Sequence, residues 1–302
     1  MQVREEIRKC ACFLEMRRGG KKYGGTAFFV SELIGLGDWH AVYVVTARHC
    51  IVPLDIGTEG PFESITLRLN TLAGGSDTIE TNPDDWFTHP VADAALLQLK
   101  PDEIIFDYLH WPIRSSATRE FMDEKFFGPG EEVFITGLLT YHPGGTRILP
   151  IVRVGNIAAL TDEPVRLKTG DDVATLIEVR SIGGLSGSPA FLHMPEFRRN
   201  REGNRESLPI MADPPHAVGG PNRLLGIVHG FPLVGDENAG GKFESLNSGI
   251  TVVVPVERII ELIESPELTK VREDVKVLID TLKLDAESAP VEGQDSSTET
   301  SK

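Results

Sequence analysis

The sequence predicts an all-β protein with helices at its C-terminal end. Short, largely apolar runs recur at residues 43–46, 65–69 and 94–99, as is typical of strands. The 30 glycines and 20 prolines in the 302 residues suit the many turns that short strands need. A helical period begins after Pro255. These observations favour a turn-rich β fold followed by helices.

Two helices are expected after the strands. An apolar stripe at i, i+3, i+4 and i+7 is expected to pack on the second half of the β fold; it consists of Val256, Ile259, Ile260 and Ile263. Ser265 and Pro266 have the character of an N-cap and a first helical residue, and the helix they open either docks on the body or mediates association. Residues 285–302 have almost no apolar side chains and are expected to form a disordered acidic tail.

Three short segments carry the residues needed for nucleophilic catalysis. They are residues 46–50 (TARHC), 93–97 (DAALL) and 183–189 (GGLSGSP). A serine hydroxyl is a weak nucleophile, so it needs a neutral imidazole to take its proton and a buried carboxylate to orient that imidazole. We therefore predict His49, Asp93 and Ser186 as the catalytic residues. The backbone N–H groups of Gly184 and Ser186 are the predicted oxyanion hole.

The chain order of these residues is also informative. The order His, Asp, Ser distinguishes the chymotrypsin arrangement from the α/β-hydrolase and subtilisin orders. Asp93 lies 44 residues after His49, and Ser186 lies 93 residues after Asp93, which leaves room for one β-barrel and most of a second. In these segments the chain resembles the trypsin-like (chymotrypsin-fold) serine peptidases, from about residue 23 to about residue 263.

Further segments fall where this family would place them. They are residues 24–30 (GGTAFFV), 131–137 (EEVFITG), 225–230 (LGIVHG) and 249–255 (GITVVVP). The resemblance implies a chymotrypsin-like fold of two six-stranded antiparallel β-barrels with C-terminal helices. Asp84, Asp85 and Asp102 are rival carboxylates, but only Asp93 heads its strand in the family's manner. His89 closely precedes Asp93 and could brace it.

The resemblance also implies a domain organisation and an activity. The expected segments are a lead-in (1–9), a first barrel with His49 and Asp93 (10–114), a linker (115–126), a second barrel with Ser186 and the oxyanion hole (127–255), C-terminal helices (256–284) and the tail (285–302). The active site is expected in the crevice between the barrels. The implied activity is that of a serine endopeptidase acting through an acyl-enzyme intermediate on a protein or peptide substrate, with no metal or cofactor.

The chain departs from the animal digestive enzymes of the family at two points. Tyr23 stands where the disulfide partner of Cys50 would be, and the odd count of three cysteines makes a disulfide framework improbable. Leu185 stands where zymogen-activated members carry an aspartate that pairs with a newly cleaved N-terminus. We therefore expect a chain that folds directly into its working form or is controlled by a partner or ligand.

Specificity is predicted from two cationic candidates. The nucleophile loop is similar to that of bacterial glutamyl endopeptidases, a group that places a histidine on the cleft-wall strand to bind an acidic side chain. His229 is the candidate for that role, and Arg180 lies near where trypsin-like enzymes place the base of the specificity pocket. Together they suggest Glu or Asp, or Gln, before the cut bond. The alternative is a structural His229 and a solvent-facing Arg180.

The composition and the first twenty residues limit which partners and which location are expected. The formal net charge of −15 argues against nucleic acid and anionic membranes as main partners. The first twenty residues are charged throughout and lack an apolar core, so no secretory signal is expected there, and we predict a cytoplasmic protein. The remaining histidines show no metal-ligand spacing; they are His40, His110, His142, His193 and His216.

Two questions stay open from the sequence. The proline-rich and arginine-rich insertion at about 193–223 is expected to be a surface loop without regular elements, and either gates the cleft or has no role. The function is either that of an active serine endopeptidase or that of a catalytically silent or latent module that binds a protein partner. The complete triad favours the first.

Overall fold

The computed structural model describes residues 2–35, 39–54, 60–139, 142–167, 169–179, 183–199, 202–208, 220–230, 233–235, 243–245 and 249–288. The predictions for Arg180 and for residues 289–302 of the tail lie outside the described residues, while residues 285–288, expected to be disordered, form the end of a helix. The helices are α1 (Glu5–Arg8), α2 (Arg119–Lys125), α3 (Glu257–Ile263) and α4 (Pro266–Ser288).

The first half of the chain forms one eight-stranded sheet. Its strands are β1 (Ala11–Arg18), β2 (Lys21–Leu33), β3 (His40–Thr46), β4 (Ser64–Thr71), β5 (Gly75–Thr81), β6 (Phe87–Thr88), β7 (Ala95–Gln98) and β8 (Trp111–Pro112). The order is β5-β4-β1-β2-β3-β7-β6, and β8 pairs with β2 in parallel. The all-β prediction is confirmed. This half differs from the implied six-stranded barrel by the two-residue strands β6 and β8, and no pairing among its described residues joins β5 to β6.

The second half contains a closed six-stranded barrel, as the resemblance implies. The strands of this half are β9 (Glu132–Gly137), β10 (Ile151–Leu160), β11 (Val165–Leu167), β12 (Gly170–Asp172), β13 (Thr175–Glu178), β14 (Pro189–His193), β15 (Phe197–Arg199), β16 (Arg205–Ser207), β17 (Asn222–Gly230), β18 (Leu233–Gly235), β19 (Phe243–Ser245) and β20 (Ile250–Pro255). The barrel runs β10-β13-β20-β17-β14-β9, while the other six strands form three hairpins. Closure leaves the barrel without open sheet edges.

One hairpin corrects the expectation of an irregular insertion at 193–223. Strands β15 and β16 pair antiparallel within it. The guanidinium of Arg205 lies 3.8 Å from the centre of the Phe197 ring, and that of Arg198 lies 4.1 Å from the Phe127 ring. Arg198 also pairs with Glu131. These contacts stabilise strands that the turn-forming composition does not predict.

The two C-terminal helices begin where the sequence indicates. Helix α3 buries Ile259, Leu262 and Ile263, and α4 begins at Pro266. Helix α3 contacts β20 of the second half, as expected, and it also contacts β7 of the first half. Its apolar side chains belong to a core cluster that contains residues of both halves. None of the described helices is long and apolar enough to cross a membrane.

The three cysteines lie in the protein interior. Cys10, Cys12 and Cys50 are free and buried. Burial raises the pKa of the Cys10 and Cys12 thiols because a thiolate loses its hydration there. These two residues therefore behave as small apolar core side chains.

Candidate active site

His49 and Asp93 meet at the end of the first-half sheet. His49 lies in a 3₁₀ turn (Arg48–Cys50) that follows β3, and Asp93 lies in the loop between β6 and β7. The His49 backbone N–H donates to Asp93 Oδ1 at 2.9 Å, and its Nδ1 lies 2.8 Å from Asp93 Oδ2. Each oxygen of the carboxylate therefore accepts a bond from His49, which fixes the plane of the carboxylate relative to the imidazole.

A second imidazole contacts the same carboxylate from the other half of the molecule. His229 lies on β17, and its Nδ1 is 2.5 Å from Asp93 Oδ2. The His49 and His229 rings meet edge to face, with centres 5.4 Å apart. The Asp93 side chain is fully buried, and that of His229 is 4% exposed. A buried carboxylate needs such donors, because each lone pair left unpaired costs free energy.

The charges of the cluster follow from this geometry. Burial alone would raise the pKa of Asp93, but the two imidazoles hold it well below its usual range, so the carboxylate stays ionised. Burial alone would lower the pKa of His49, but the neighbouring Cys50 sulfur and the Asp93 carboxylate raise it well above its usual value. His49 is therefore a stronger base than a free imidazole. In its neutral form the His49 ring donates its Nδ1 proton to Asp93 in a hydrogen bond. Its Nε2 is then free to accept a proton.

Ser186, which the second half of the chain contributes to the site, is half-buried. Its Oγ donates to the main-chain carbonyl of His229 at 3.2 Å. Among the described residues no hydrogen bond joins Ser186 Oγ to His49. The Ser186 hydroxyl is thus bonded to the main chain of β17, whereas His49 and Asp93 are bonded to each other. A rotation of the serine side chain is needed to bring its proton to His49.

The turn around Ser186 is held against the first-half sheet. Thr26 Oγ1 donates to the Gly184 carbonyl at 2.7 Å, and the Thr26 N–H donates to the Ser186 carbonyl at 3.0 Å. Gly187 has φ +81°, and a Cβ there would lie 2.1 Å from the Thr26 carbonyl oxygen, so the approach requires glycine. Leu185, the residue in place of the zymogen aspartate, is fully buried in the second-half core.

The predicted oxyanion donors are available for a ligand. Gly184 has φ +96°, in the left-handed region that glycine adopts without strain. Among the described residues, neither its N–H nor that of Ser186 donates to another protein group. Two unengaged N–H groups beside a serine hydroxyl can stabilise the negative charge of a tetrahedral intermediate.

Three side chains of the site offer atoms that by type could hold a metal ion: His49, Asp93 and His229. These atoms lie within 4.8 Å of one another. Their N···O separations of 2.5 and 2.8 Å are those of hydrogen bonds. Around a tetrahedral Zn²⁺ with bonds of about 2.0–2.1 Å, neighbouring ligand atoms lie about 3.3 Å apart. The geometry therefore suits shared protons better than a metal ion.

Comparison with solved structures finds similar folds among serine proteases. The MamO protease domain from Magnetospirillum magneticum (apo form) is 17% identical with a TM-score of 0.47, covering 86% of this chain and 98% of that chain. A thermostable serine protease, AL20, from an extremophilic microorganism is 11% identical with a TM-score of 0.47, covering 85% and 95%. Protease Anisep from Arthrobacter nicotinovorans is 14% identical with a TM-score of 0.44, covering 85% and 94%.

No protein-family model matches the chain, and no curated protein matches it. The proposed function therefore rests on the geometry of the site.

The structure brings four of the five predicted site positions that it describes into one cluster. His49 and His229 both bond Asp93, and Ser186 bonds the main-chain carbonyl of His229. Gly184 is in the turn that carries Ser186. The contact of His229 with Asp93 is not anticipated from the sequence, and it occupies Nδ1. A substrate contact by His229 stays a prediction and would have to use Nε2.

Proposed function

We propose that the protein is a serine endopeptidase that hydrolyses peptide bonds through an acyl-enzyme intermediate. Two hydrogen bonds join His49 to Asp93 beside a serine whose turn presents two N–H groups that have no partner among the described residues. This is the observation that carries the proposal. Proteins and peptides are the proposed substrates. The three buried free thiols support a cytoplasmic location as part of the proposal.

The proposed chemistry assigns one role to each residue. Ser186 Oγ attacks the scissile carbonyl carbon while its proton passes to His49 Nε2, and the Gly184 and Ser186 N–H groups bind the oxyanion. His49 then gives that proton to the leaving amine as the C–N bond breaks. Water attacks the acyl-enzyme by the same route, with His49 again taking and returning a proton. Asp93 holds the imidazole in the required tautomer throughout.

Labelling with a fluorophosphonate probe tests this proposal. We expect a covalent adduct on Ser186, located by mass spectrometry of the peptides, because an activated serine oxygen displaces fluoride from phosphorus. The Ser186→Ala and His49→Ala variants should show no adduct. A folded wild-type protein that shows no adduct, with and without peptide present, would contradict an assembled triad.

A latent protease is the second candidate, favoured by the Ser186 hydroxyl bond to the His229 carbonyl. In that case a regulatory protein partner or the substrate itself turns the hydroxyl toward His49. Labelling would then be slow for the protein alone and would accelerate when a peptide or partner occupies the cleft. Equal rates in both conditions would argue for the constitutively active form.

We also propose a preference for an acidic residue or Gln before the cut bond, supported by the cationic candidates Arg180 and His229. A peptide library that varies this position alone tests it. We expect Arg180→Gln to lower kcat/KM for a Glu peptide by about tenfold relative to an Ala peptide, the value of one charge-assisted hydrogen bond. Arg17→Gln, which removes an exposed arginine on β1, should leave this ratio unchanged. An unaltered ratio in Arg180→Gln would exclude Arg180 from specificity.

A further inference from the structure

His89 organises the loop that carries Asp93. This imidazole is buried, and it follows β6 directly. Its backbone N–H donates to the Ala94 carbonyl at 2.9 Å, which closes the loop from 89 to 94. Its Nδ1 accepts the backbone N–H of Ala92 at 2.8 Å and that of Val91 at 3.2 Å. The main chain immediately before Asp93 is therefore bound to one side-chain atom.

These contacts define the tautomer of His89. A ring nitrogen that accepts two N–H bonds carries no proton, so the proton of the neutral ring lies on Nε2. That nitrogen lies 2.7 Å from Glu261 Oε2 on α3 and donates to it. His89 thus connects a main-chain loop on one side to a carboxylate on the other.

Glu261 is itself held in place. Arg258, three residues earlier on α3, donates to both Glu261 oxygens at 2.9 and 3.0 Å, and also pairs with Asp172 on β12 at 2.7 Å. Burial opposes ionisation of Glu261, but the bonds from His89 and Arg258 lower its pKa, so it stays a charged acceptor. Helix α3 is anchored by buried apolar residues, including Ile259. The Glu261 carboxylate is therefore held in place by residues outside the loop that carries Asp93.

We propose that His89 and Glu261 form a bridge by which helix α3 positions Asp93 for catalysis. Within the described part of the chain no hydrogen bond joins either residue to His49 or Ser186, so both are positioning residues. The bridge spans 172 residues of sequence and joins the C-terminal helix to the triad carboxylate. Loosening it would let Asp93 shift relative to His49, and a misplacement of about 1 Å in a catalytic group can cost about 100-fold in rate. The inference rests on the proposed peptidase function.

Paired substitutions at each end of the bridge test it in the full-length protein. Asn at position 89 can present its side-chain oxygen near the Nδ1 site, where it accepts from Val91 and Ala92, whereas Ala cannot. We expect His89→Ala to lower kcat 10- to 100-fold with KM changed less than twofold. His89→Asn keeps the loop acceptor but loses the bond to Glu261, so it should lower kcat only as much as Glu261→Ala does. Glu261→Ala should lower kcat about 3- to 10-fold, while Glu261→Gln, which keeps an acceptor for Nε2–H, should stay within twofold of wild type. His142→Ala, an exposed histidine, is the control.

Two readouts separate the possible results. The downfield proton NMR signal of the His49 Nδ1–H bond should broaden in His89→Ala, His89→Asn and Glu261→Ala and persist in Glu261→Gln, independently of turnover. Folding is monitored by thermal unfolding, and the half-exposed Glu261 side chain keeps its variants informative if His89→Ala does not fold. Failure of the wild-type protein to react with the fluorophosphonate probe overturns the proposed function. If folded Glu261→Ala and His89→Ala keep the labelling, the kcat and the NMR signal of the wild-type protein, the bridge is overturned.

Discussion

Replacement of Ser186 by Ala is expected to lower kcat/KM for peptide cleavage by about 10⁴- to 10⁶-fold. The side chain supplies the oxygen that attacks the peptide bond in the proposed mechanism, so its loss leaves just the oxyanion donors and substrate binding to assist water. Those donors belong to the main chain of the turn, which the Thr26 contacts hold without the hydroxyl. Substrate affinity should therefore change little. Steady-state kinetics and direct binding of a peptide to the variant measure the two effects separately.

Ser188→Ala is the matched control for this substitution. Ser188 lies two residues away in the same turn region, is fully buried, and its Oγ has no hydrogen-bond partner among the described residues. Removing an unpartnered buried hydroxyl is expected to be neutral or stabilising. Its activity should stay within about twofold of wild type. Equal activity of Ser186→Ala and wild type would exclude Ser186 as the nucleophile.

Local sequence was sufficient to predict the parts of the site that depend on backbone conformation. The turn around Ser186 needs left-handed conformations at Gly184 and Gly187, and glycines at those positions are visible in the sequence. The start of α4 depends on a proline at the first helical position, which is equally local. Such features follow from neighbours in the chain, so a single sequence reveals them.

The contact of His229 with Asp93 and that of His89 with Glu261 could not be predicted in this way. His229 lies 136 residues from Asp93, and Glu261 lies 172 residues from His89, so each pair forms only when distant strands and helices pack. His229 lies in β17, a strand whose side chains are buried on both faces. Alternation of polar and apolar residues is then absent and does not indicate which way the imidazole points.

The hairpin of β15 and β16 was missed for a different reason. The insertion that contains it is rich in prolines, which favour turns, and its strands contain only three residues each. The paired arginine and aromatic side chains that stabilise it act across the hairpin and toward Phe127. Propensity summed along the chain does not register such contacts, because tertiary packing overrides weak local preferences.

Replacement of Asp93 by Asn is expected to lower kcat by about 10⁴-fold while leaving the fold intact. Asp93 accepts three bonds, from the His49 backbone N–H at Oδ1 and from the His49 and His229 Nδ1 atoms at Oδ2. An amide cannot accept at both ends. If its oxygen takes the Oδ2 place, its NH₂ group faces the His49 backbone N–H. If it is turned over, its NH₂ faces both imidazoles, and His49 must keep its proton on Nε2, where it can no longer accept the proton of Ser186.

Either orientation therefore misplaces or disables the base, and the loss should appear in kcat and in the rate of fluorophosphonate labelling rather than in KM. Asp85→Asn tests a rival carboxylate with the same change of charge. Asp85 is exposed and lies beside β6, so its variant should retain activity within about twofold. A reversed pattern, with Asp85→Asn inactive and Asp93→Asn active, would assign the triad carboxylate elsewhere. Loss in Asp93→Asn alone would mean that the buried carboxylate shared by His49 and His229 sets the tautomer on which proton transfer from Ser186 depends.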